Sequence, residues 1–558
     1  MRSRFDFTRY YIDGQLEAMS ALHVGGGDGL AIDRQLLRDG AGCVVVPGTS
    51  LAGALRSRWV KMPRNSASSE RDLWGGAGND DQASRVVLDD APVRTVPGSG
   101  ATDTRTTTAI DDQARAAEPG LLFSTEVMPT GATYSFSAEV DVPIDAQPVH
   151  FCQMPHACAA RIPASAHYPA DLACYPPDVA DLLTILRSGF QIGAGESTGL
   201  GWVRLRDTEV RSRARNSASD LLLFITDSLQ KRALADDAPN PSTPELTLAW
   251  RPLGAILVAD VPPGDALDTV PLVTQGPNDC CHLLLPGTSI KGAVRAHAEM
   301  ILNTVLGRPQ GTSPHAMIGY LFGESPGGGA LGRRGALVFH DVHSRAGWTR
   351  DSWEGVINAD KRAAQERTPI FERLDALVRC RCDQVLPDGA AVDTTAGAAA
   401  GAEAGAAARP SGAYARDFIV GDHIAVDRWT GGVKDSALFS VLEPCLTAQH
   451  DWQPIRVGYP AVLEEGPHTV LPGAEAPNDV GPIPSVGTAR HLLRLILADM
   501  AEGKVPFGHA VTRGYGSVRM DIGDAWVERD RQPWSGWVSE TDDRPSQEPE
   551  DQPAGATA

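Results

Sequence analysis

The stretch VVVPGTSLAGALRSR (Val44–Arg58) decides the fold, because it recurs as LLLPGTSIKGAVRAH (Leu283–His297). In each stretch an apolar run ends at Pro-Gly, and apolar residues then return at helical spacing, as Ile290, Val294 and Ile301 do in the second stretch. This pattern predicts a strand that leads through a tight turn into a helix.

Four further landmarks recur in the same order, which predicts an internal duplication. The pairs are DLWGG near Leu73 with YLFGE near Leu321, SRVVLDDA (84–91) with GALVFHDV (335–342), TAIDDQARAAEPGLLFSTE (108–126) with IAVDRWTGGVKDSALFSVLE (424–443), and IGAGESTGLGWVRL (192–205) with FGHAVTRGYGSVRM (507–520). The offset between the copies grows from 239 residues at PGTS to 316 between Asp111 and Asp427, a difference of about 77 residues.

The length of 558 residues is too great for one compact core and favours several domains. We predict a first domain at 1–215, a linker at 216–245 and a second domain at 246–538. An Ala/Gly-rich insertion at about 385–415 accounts for much of the surplus, and 539–558 is predicted to be a disordered acidic tail. Leu221–Leu234 has a helical pattern, and its assignment to the linker or to the first domain stays open.

Within each copy the pattern is α+β. Half-buried strands are predicted in QLEAMSALHV, CVVVPG, RVVLDDA, YSFSAEVDV and GWVRLRDTEV, and a second helix in VADLLTILRSGF and ARHLLRLILADMAEG. The resulting order of strand, helix, two strands, helix and strand predicts a ferredoxin-like sheet with one helical face.

The composition, 42% hydrophobic and 22% charged residues, is that of a soluble globular protein. No apolar run reaches the roughly 18 residues of a membrane helix, and the first residues have no apolar signal segment. Nine scattered cysteines form no disulfide framework, so we expect reduced thiols and a cytoplasmic protein without a membrane partner.

The net charge of −20 argues against a protein that binds nucleic acid through charge alone. Part of the excess lies in the predicted tail, where six acidic residues and one basic residue follow from Ser539 onward. Any contact with nucleic acid is therefore expected from local basic residues and from backbone amides.

The PGTS turn predicts a phosphate contact in each copy. Gly48 permits the turn, Thr49 or Ser50 is placed as the N-cap, and the amides of the first helical turn bind anions. In the second copy the same places hold Gly287, Thr288 and Ser289. Arg56, Lys291 and Arg295 are then candidates for contacts with a nucleic-acid backbone. The alternative is an ordinary capped helix; a Walker loop is excluded because GxxxxGK[ST] is absent.

The glycine-rich stretches GAGESTGLG and GHAVTRGYG follow a helix and precede a strand, the reverse of the dinucleotide-binding order. Such a loop lets the backbone approach a ligand closely, although a simple turn that needs positive φ is equally consistent. The candidate RNA contacts are Gly195, Ser197, Thr198 and Gly199 in the first copy and Gly514 in the second. Arg513 and Tyr515 supply a cation and a stacking face.

The opening loop LHVGGGDGLAIDRQLLRDG contains Asp28, Asp33 and Asp39. An aspartate beside a phosphodiester can act as a general base on a 2′-hydroxyl or help to hold a divalent metal. The alternative is a set of solvated loop carboxylates. His23, on an apolar strand, is a candidate contact or a packed histidine.

The segment that contains His423, Asp427, Arg428 and Trp429 mixes charge with an aromatic ring, which suits a hairpin that touches a nucleic-acid strand; a polar hairpin is the alternative. A second cluster contains cysteine and histidine, but its spacing is irregular for structural zinc, and no residue is assigned as a metal ligand. Its members are Cys152, His156, Cys158, His167 and Cys174.

Together these motifs resemble the RAMP superfamily, and specifically the Cas seven group of type III CRISPR effectors. LHVGGGDGLAID…VVVPGTSLAGALRSR is similar to that group's opening signature, IGAGESTGLGWV to its glycine-rich loop, and HIAVDRWTGGVKDSALFSVLE to its thumb hairpin in the type III-D branch. The resemblance implies two tandem modified RRM palms with thumbs. Each palm would grip guide RNA, and each thumb would kink the guide–target duplex.

The resemblance also implies cleavage of target RNA by an opening-loop aspartate with Mg²⁺ or Mn²⁺. By motif position that residue is Asp33, ahead of Asp28. The second copy lacks the glycine-histidine-glycine opening, but Asp268 stands where Asp33 does, with Asp265 and Asp260 as rivals. Ala52 replaces the lysine found at 291 in the second copy.

The implied partners are crRNA, target RNA, a large Cas ten-type subunit, and other backbone and small subunits. Three functions stay open: a guide-binding subunit that cleaves target RNA, a purely structural backbone or cap subunit, and a guide-processing endoribonuclease. The last would use a histidine near the glycine-rich loop, and His509 is suitably placed.

Overall fold

The computed structural model describes most of the chain outside several long loops and the tail. The described residues are 7–27, 29, 32–64, 66–76, 82–98, 100–110, 117–143, 170–172, 175–214, 230–234, 244–276, 279–307, 315–324, 332–359, 373–374, 377, 381–382, 417–448, 451–465, 469, 471 and 485–522. Those up to Leu234 are called the N-terminal half, and those from Pro244 the C-terminal half. Outside them lie the predicted insertion and tail, Asp28, Asp111, and the cysteine and histidine cluster at 152–174.

The N-terminal half contains three α-helices in its described part: α1 (Gly48–Lys61), α2 (Glu70–Trp74) and α3 (Pro177–Ser188). Its strands are β1 (Phe7–Ala18), β2 (Gly25–Gly27), β3 (Gln35–Leu36), β4 (Val45–Val46), β5 (Val86–Leu88), β6 (Ala91–Thr95), β7 (Asp103–Ile110), β8 (Ala117–Val127), β9 (Thr133–Pro143), β10 (Phe190–Gln191), β11 (Trp202–Ala214) and β12 (Gln230–Ala233).

The main sheet of this half is antiparallel, with β1 between β11 and β9, and with β5 and β6 on the far side of β9. Buried and partly exposed residues alternate strictly along β9, as expected of a strand with one face in a core. The buried face packs against α1 and α3, through residues such as Leu51, Trp59 and Leu183. The sheet therefore has one helical face.

The C-terminal half has four α-helices in its described part: α4 (Gly287–Val305), α5 (Ala316–Phe322), α6 (Arg350–Ile357) and α7 (Val486–Ala501). Its strands are β13 (Glu245–Pro252), β14 (Ala259–Asp260), β15 (Val270–Pro271), β16 (Val273–Gln275), β17 (Cys280–Leu285), β18 (Gly323–Glu324), β19 (Arg333–Arg334), β20 (Val338–Phe339), β21 (Val342–Thr349), β22 (Arg381–Cys382), β23 (Phe418–Val426), β24 (Val433–Pro444), β25 (Ile455–Gly458) and β26 (Val518–Asp521).

The two halves arrange corresponding strands in the same spatial order. In the C-terminal sheet, β13 lies between β26 and β25, and β20 lies beyond β25, all antiparallel. The order β11, β1, β9, β5 in the N-terminal half thus corresponds to the order β26, β13, β25, β20 in the C-terminal half. In both halves one helix follows the first of these strands in the chain, and another precedes the last. The predicted α+β, ferredoxin-like fold is confirmed. Each half buries a hydrophobic core of its own.

Each half also projects a two-stranded hairpin away from its sheet: β7 with β8, and β23 with β24. At the base of each hairpin the opening loop forms a parallel bridge with the hairpin's second strand, through Arg34 and Thr125 in one half and through Thr269 and Val441 in the other. These bridges fix the opening loops against the hairpins.

Three local predictions are wrong. The N-cap of α1 is Pro47 rather than Thr49 or Ser50, and that of α4 is Pro286, because both helices begin at the glycine. The helical pattern of Leu221–Leu234 ends in strand β12, which pairs with β11, while 215–229 lie outside the described residues. The expectation of reduced thiols fails at Cys280, which is disulfide-bonded, whereas Cys43, Cys281 and Cys445 are free.

Within the part of the chain that the structure describes, no helix is both long and apolar enough to span a membrane.

Candidate nucleic-acid interface

Asp33 and Asp268 occupy equivalent places, each beside the second strand of its hairpin. In the N-terminal half, Asp33 Oδ2 accepts hydrogen bonds from the Ser124 backbone N–H (2.7 Å) and from the Ser124 hydroxyl (3.0 Å). In the C-terminal half, Asp268 Oδ2 accepts one from the Ser440 backbone N–H (2.7 Å). Ser124 and Ser440 are themselves equivalent in the repeated LFS sequence. The structure therefore presents both carboxylates in one geometry.

The two serines differ in what their hydroxyls bind. The Ser440 hydroxyl donates to Asp422 Oδ1 (2.7 Å) rather than to Asp268. The bonds from Ser124 lower the pKa of the Asp33 carboxyl, and the nearby charge of Arg34 adds to this effect. Asp33 is exposed and is therefore an ionised carboxylate at neutral pH, open to a ligand.

The other candidate carboxylates lie in different surroundings. Asp39 Oδ1 accepts from the amides of Ala41 and Cys43, both at 2.9 Å, and so holds a turn. Burial raises the pKa of Asp260, whose Oδ1 accepts from the amide of Val261 (2.9 Å). Asp265 is exposed in the loop that precedes Asp268. Asp33 and Asp268 share a contact with the amide of a serine on the second strand of a hairpin.

At the start of each PGTS helix a carboxylate of the protein already occupies the anion-binding position. The Gly48 N–H donates to Asp90 Oδ1 (2.8 Å), and the Gly287 N–H donates to Asp341 Oδ1 (2.8 Å). The amides of Ser50 and Ser289 donate to the carbonyls of the prolines that precede each helix. Thr49 and Thr288, both exposed, are left as the outward-facing residues of the turn. Phosphate binding through all first-turn amides is therefore not the geometry found.

The sequence analysis missed Asp90 and Asp341, although a signal for them exists. Both stand at the same place in SRVVLDDA and GALVFHDV, the repeated stretch that contains β5 and β20. A carboxylate repeated at one position in both copies, next to a helix without a side-chain cap, indicates a cap supplied from elsewhere in the chain.

The basic residues of the helices have protein partners. Arg56 Nε donates to Glu70 (2.6 Å) in an exposed ion pair. Arg295 donates to Glu299 (3.0 Å) and to the Gly323 carbonyl (2.9 Å). Exposed pairs of this kind contribute little stability, so Arg56 is easily recruited by a phosphate.

The glycine-rich turns adopt the conformation that glycine allows. Gly195 and Gly199 have φ of 80° and 77° and flank a single 3-10 turn, Glu196–Thr198. The equivalent turn, Val511–Arg513, is flanked by Ala510 (φ 55°) and Gly514 (φ 94°). Left-handed backbone at these places is why glycine recurs here. The predicted contact residues thus form one tight loop in each half. Gly195, Arg513 and Gly514 are exposed, Ser197 and Thr198 are half-buried, and Gly199 and Tyr515 are buried.

The first glycine-rich loop packs against the helix start of the other half. The Lys291 ammonium donates to the Ser197 hydroxyl (2.8 Å), and Arg334 forms an ion pair with Glu196. A Cβ at Gly287 would lie 2.6 Å from the Thr198 carbonyl oxygen, so only glycine permits this approach. The structure therefore brings Ser197 and Thr198 to Gly287 and Lys291, one composite surface that the sequence analysis did not foresee.

The tip of the second hairpin is solvent-exposed. Trp429 is 97% exposed, and Arg428 beside it is also exposed. Asp427 Oδ1 accepts from the amides of Trp429 (2.7 Å) and Thr430 (3.0 Å), which shapes the turn and lowers the pKa of Asp427. An aromatic ring held out on a defined turn is suited to contact with bases.

Two side chains predicted to contact RNA, those of His23 and Tyr515, are buried instead. His23 is 4% exposed, and its Nδ1–H donates to the Glu126 carbonyl (2.7 Å), so it serves as packing at the base of the hairpin. Tyr515 is 8% exposed and cannot offer an open stacking face. Its hydroxyl donates to Glu443 Oε1 (2.6 Å) and lies 2.9 Å from His423 Nε2.

Among the described residues, no three His, Cys, Asp or Glu side chains come together as a preformed metal site. Asp33 and Asp268 each offer one carboxylate. Mg²⁺ is commonly held by one or two carboxylates together with substrate phosphates and water. These residues therefore fit a divalent cation only as part of a complex with RNA, whose phosphate would supply further ligands.

The comparison with protein families agrees with this geometry. Residues 15–204 match the model of the RAMP superfamily. The matched region runs from β1 to β11 and includes α1, Asp33, the first hairpin and the first glycine-rich loop. The match supports a CRISPR-associated RNA-binding role for this matched region, with crRNA and Cas subunits as the general class of partners. The match does not extend into the C-terminal half, and no curated protein matches the chain.

Proposed function

We propose that this chain is a tandem backbone subunit of a type III, III-D-like CRISPR complex, which binds crRNA and target RNA and cleaves the target. Each half would be one RAMP module, with the boundaries near 215 and 246 predicted above. The second module is a proposal, because the family match covers only the first. Its partners would be a large Cas ten-type subunit and further backbone and small subunits, in the cytoplasm.

The observation that carries this proposal is the shared setting of Asp33 and Asp268. Both carboxylates are exposed, and both are held by the backbone amide of a serine on the second strand of a hairpin. The two carboxylates therefore stand at equivalent places in the two halves, as two active sites of one kind would. The same two halves present exposed turn threonines and glycine-rich loops for a bound strand.

The chemistry proposed is attack of a target 2′-oxygen on the adjacent phosphorus. The 2′-hydroxyl loses its proton to water as the bond from phosphorus to the 5′-oxygen breaks. The departing 5′-oxygen takes a proton from water, which leaves a 2′,3′-cyclic phosphate and a 5′-hydroxyl. Because the pKa of Asp33 is lowered, its carboxylate is a weak base but a permanent hydrogen-bond acceptor. We therefore assign it the orientation of the 2′-hydroxyl for in-line attack. A bound Mg²⁺ or Mn²⁺ would stabilise the charge on the phosphate.

The test uses the full chain assembled with crRNA and its companion subunits on an end-labelled target RNA. We expect Asp33→Ala to remove one cleavage product, Asp268→Ala to remove the other, and the double variant to abolish cleavage with guide binding retained. Asp39→Asn is the matched control, because its amide oxygen can still hold the turn at Ala41 and Cys43.

Other outcomes would favour the alternatives. If cutting is unchanged in the double variant, or if the wild-type complex binds target without cutting it, the chain is a structural backbone or cap subunit. If His509→Ala instead blocks maturation of the guide, the guide-processing function is correct. Loss of cleavage on chelation, restored by Mg²⁺ or Mn²⁺, is expected only under the leading proposal.

A further inference from the structure

The C-terminal half contains a cavity between its hairpin and its glycine-rich turn. The cavity has a volume of about 270 Å³ and is lined chiefly by His423, Phe439, His509, Arg513 and Tyr515. Thr269, the neighbour of Asp268, forms part of its wall. The volume lies near the lower end of the range for small-ligand sites.

His423 and Tyr515, which line this cavity, belong to a hydrogen-bonded polar cluster with Glu443. Glu443 Oε1 accepts a hydrogen bond from the Tyr515 hydroxyl at 2.6 Å and lies 3.1 Å from His423 Nε2. The Glu443 side chain is only 14% exposed. The rim is cationic, because the Arg513 guanidinium lies over the Phe439 ring, 5.3 Å from its centroid.

The N-terminal half fills the equivalent space with apolar side chains. Its glycine turn has the same anchor, because the Gly201 N–H donates to the Ala21 carbonyl as the Gly516 N–H donates to the Ala255 carbonyl. The residues before those glycines are Leu200 and Tyr515.

Leu200 packs in a small apolar cluster with Ala21 and Val127. Val127 stands 316 residues before Glu443, the same offset that relates Ser124 to Ser440. A hairpin and glycine turn of this kind therefore fold without any polar cluster. The polar cluster is therefore particular to the C-terminal half and is not required by this arrangement of elements.

We propose that this cavity binds one nucleotide of the bound RNA, with its phosphate at Arg513 and His509 and its base at the cluster of His423, Glu443 and Tyr515. The inference rests on the proposed RNA-binding function and assigns the site to the C-terminal half alone. The bound nucleotide would lie beside Thr269, and so next to Asp268.

The lining has the mixed character that a nucleotide requires. A guanidinium stacked on an aromatic ring presents its donors in its own plane, which suits phosphate. Partial desolvation and the charge of Arg513 lower the pKa of His509, so its imidazole is neutral and hydrogen-bonds without adding charge. At the other end, the carboxylate of Glu443 and the hydroxyl of Tyr515 match the amino and imino groups of a base edge. A bare anion would find the Glu443 carboxylate unfavourable, and an apolar ligand would make no use of the hydrogen-bonding groups of the cluster.

The test replaces the cluster by the residues of the other half. The variant His423→Thr, Glu443→Val, Tyr515→Leu copies Thr107, Val127 and Leu200, a combination that the fold already accommodates once. The probe is a short single-stranded RNA that carries photoactivatable bases, bound to the full-length chain. We expect crosslinks to His423 or Tyr515 in the wild type, their loss in the variant, and about a tenfold lower affinity.

Two further variants keep the test decisive. Tyr515→Phe removes only the hydroxyl and retains the packing, and Arg513→Met removes the cation at the exposed rim; each should weaken RNA binding without unfolding the chain. If the wild type binds the RNA, crosslinks nowhere in the cavity and has the affinity of the triple variant, the nucleotide site is refuted while the RNA-binding function stands. If the wild type binds no RNA, the proposed function fails with it.

Discussion

The charge of Lys291 depends on its surroundings. Burial, and then the charges of Arg295 and Arg334, lower its pKa to about 8, from an ordinary 10.5. The side chain is therefore positively charged at pH 7 and loses this charge as the pH rises through 8. Lys291 is hydrogen-bonded to Ser197 at the contact between the two halves. If this lysine binds a phosphate there, the affinity for RNA should depend on its charge and therefore on pH.

We predict that RNA affinity falls several-fold between pH 7 and pH 9. Lys291→Arg keeps its charge over this range and should remove the pH dependence. Lys291→Met should weaken binding at pH 7 to about the wild-type level at pH 9. At pH 7 it should also reduce the slope of log affinity against log salt by about 1, as expected for one lost phosphate contact. Titration of a fluorescent RNA with the wild type and the two variants, at pH 7 and pH 9 and at several salt concentrations, measures these affinities. Equal pH dependence in the wild type and in Lys291→Arg would exclude Lys291 as the phosphate contact.

The buried side chain of His282 makes the stability of the C-terminal half depend on pH. It is fully buried in β17, its Nδ1–H donates to the Ser344 carbonyl (3.0 Å), and its Nε2 has no hydrogen-bond partner among the described residues. Burial lowers its pKa to about 4, from an ordinary 6.5. Between these values the unfolded chain binds a proton that the folded chain does not, so stability falls as the pH falls.

The predicted loss from His282 approaches about 1.4 kcal/mol per pH unit below pH 6.5 and ends near pH 4. His340, whose pKa burial lowers to about 3, adds a second contribution of the same sign. We therefore expect His282→Gln to reduce the slope of unfolding free energy against pH rather than to abolish it. Urea denaturation at pH 7, 6 and 5 measures the slope; an unchanged slope in the variant would contradict this explanation.

At the scale of elements, two glycines of the second glycine-rich turn, Gly514 and Gly516, are required for different reasons. At Gly516 the backbone has φ of 74°, and a Cβ would lie 2.0 Å from the Phe507 carbonyl oxygen. At Gly514 φ is 94°, but a Cβ would meet nothing within 4 Å. Glycine is therefore required at Gly516 by both the backbone conformation and the lack of space, and at Gly514 by the backbone conformation alone.

We predict that Gly514→Ala costs about 1–2 kcal/mol of unfolding free energy, the strain of a left-handed alanine. Gly516→Ala should cost more than about 3 kcal/mol, because it adds a backbone clash to that strain. Chemical denaturation of the two variants gives the comparison. Equal losses would mean that the turn relaxes, and that the close approach to Phe507 is not a constraint.

The elements were largely predictable from the sequence, because the landmarks PGTS, LFS and the glycine stretches recur and because the apolar spacing is regular. The equivalence of Asp33 and Asp268 was predicted only with Asp265 and Asp260 as rivals, because the glycine-rich opening does not recur in the second copy. The caps Asp90 and Asp341 were missed, because a carboxylate that reaches a helix from another strand has no local spacing rule. The burial of Tyr515 and its bond to Glu443 also escaped prediction, since they depend on how a hairpin and a turn 72 residues apart meet.

At the scale of the whole molecule, the contact between the halves was not predictable from either copy alone. Arg105, on the first strand of the N-terminal hairpin, reaches Asp341, the residue that caps α4 (2.8 Å). Asp103 on the same strand accepts from the Thr274 hydroxyl (2.6 Å). The N-terminal hairpin and glycine-rich loop therefore both reach the helix start of the other half. This contact sets the spacing between the two candidate carboxylates, Asp33 and Asp268.

The Arg105–Asp341 pair is buried, with side chains 9% and 5% exposed. In the described structure Arg105 Nε and Nη2, and Asp341 Oδ2, have no hydrogen-bond partner. The pair is thus a charge contact whose hydrogen-bonding capacity is incompletely used. Breaking such a pair on one side leaves a buried charge without compensation, which costs about 3–5 kcal/mol, whereas removing both charges is often close to neutral.

We predict that Arg105→Met destabilises the chain by about 3 kcal/mol or more, because it leaves the Asp341 carboxylate buried and unpaired. The double variant Arg105→Met, Asp341→Asn should recover most of this loss, since the asparagine oxygen can still accept from the Gly287 N–H at the start of α4. Asp341→Asn alone should also be destabilising, because it removes the ion pair and leaves the Arg105 guanidinium buried without a counter-charge. Denaturation of the four proteins gives the double-mutant cycle, and a coupling energy near zero would show that the two halves are not held together by this pair. A large coupling, together with separate unfolding of the halves in Arg105→Met, would identify the pair as the link that holds the two RNA sites at a fixed spacing.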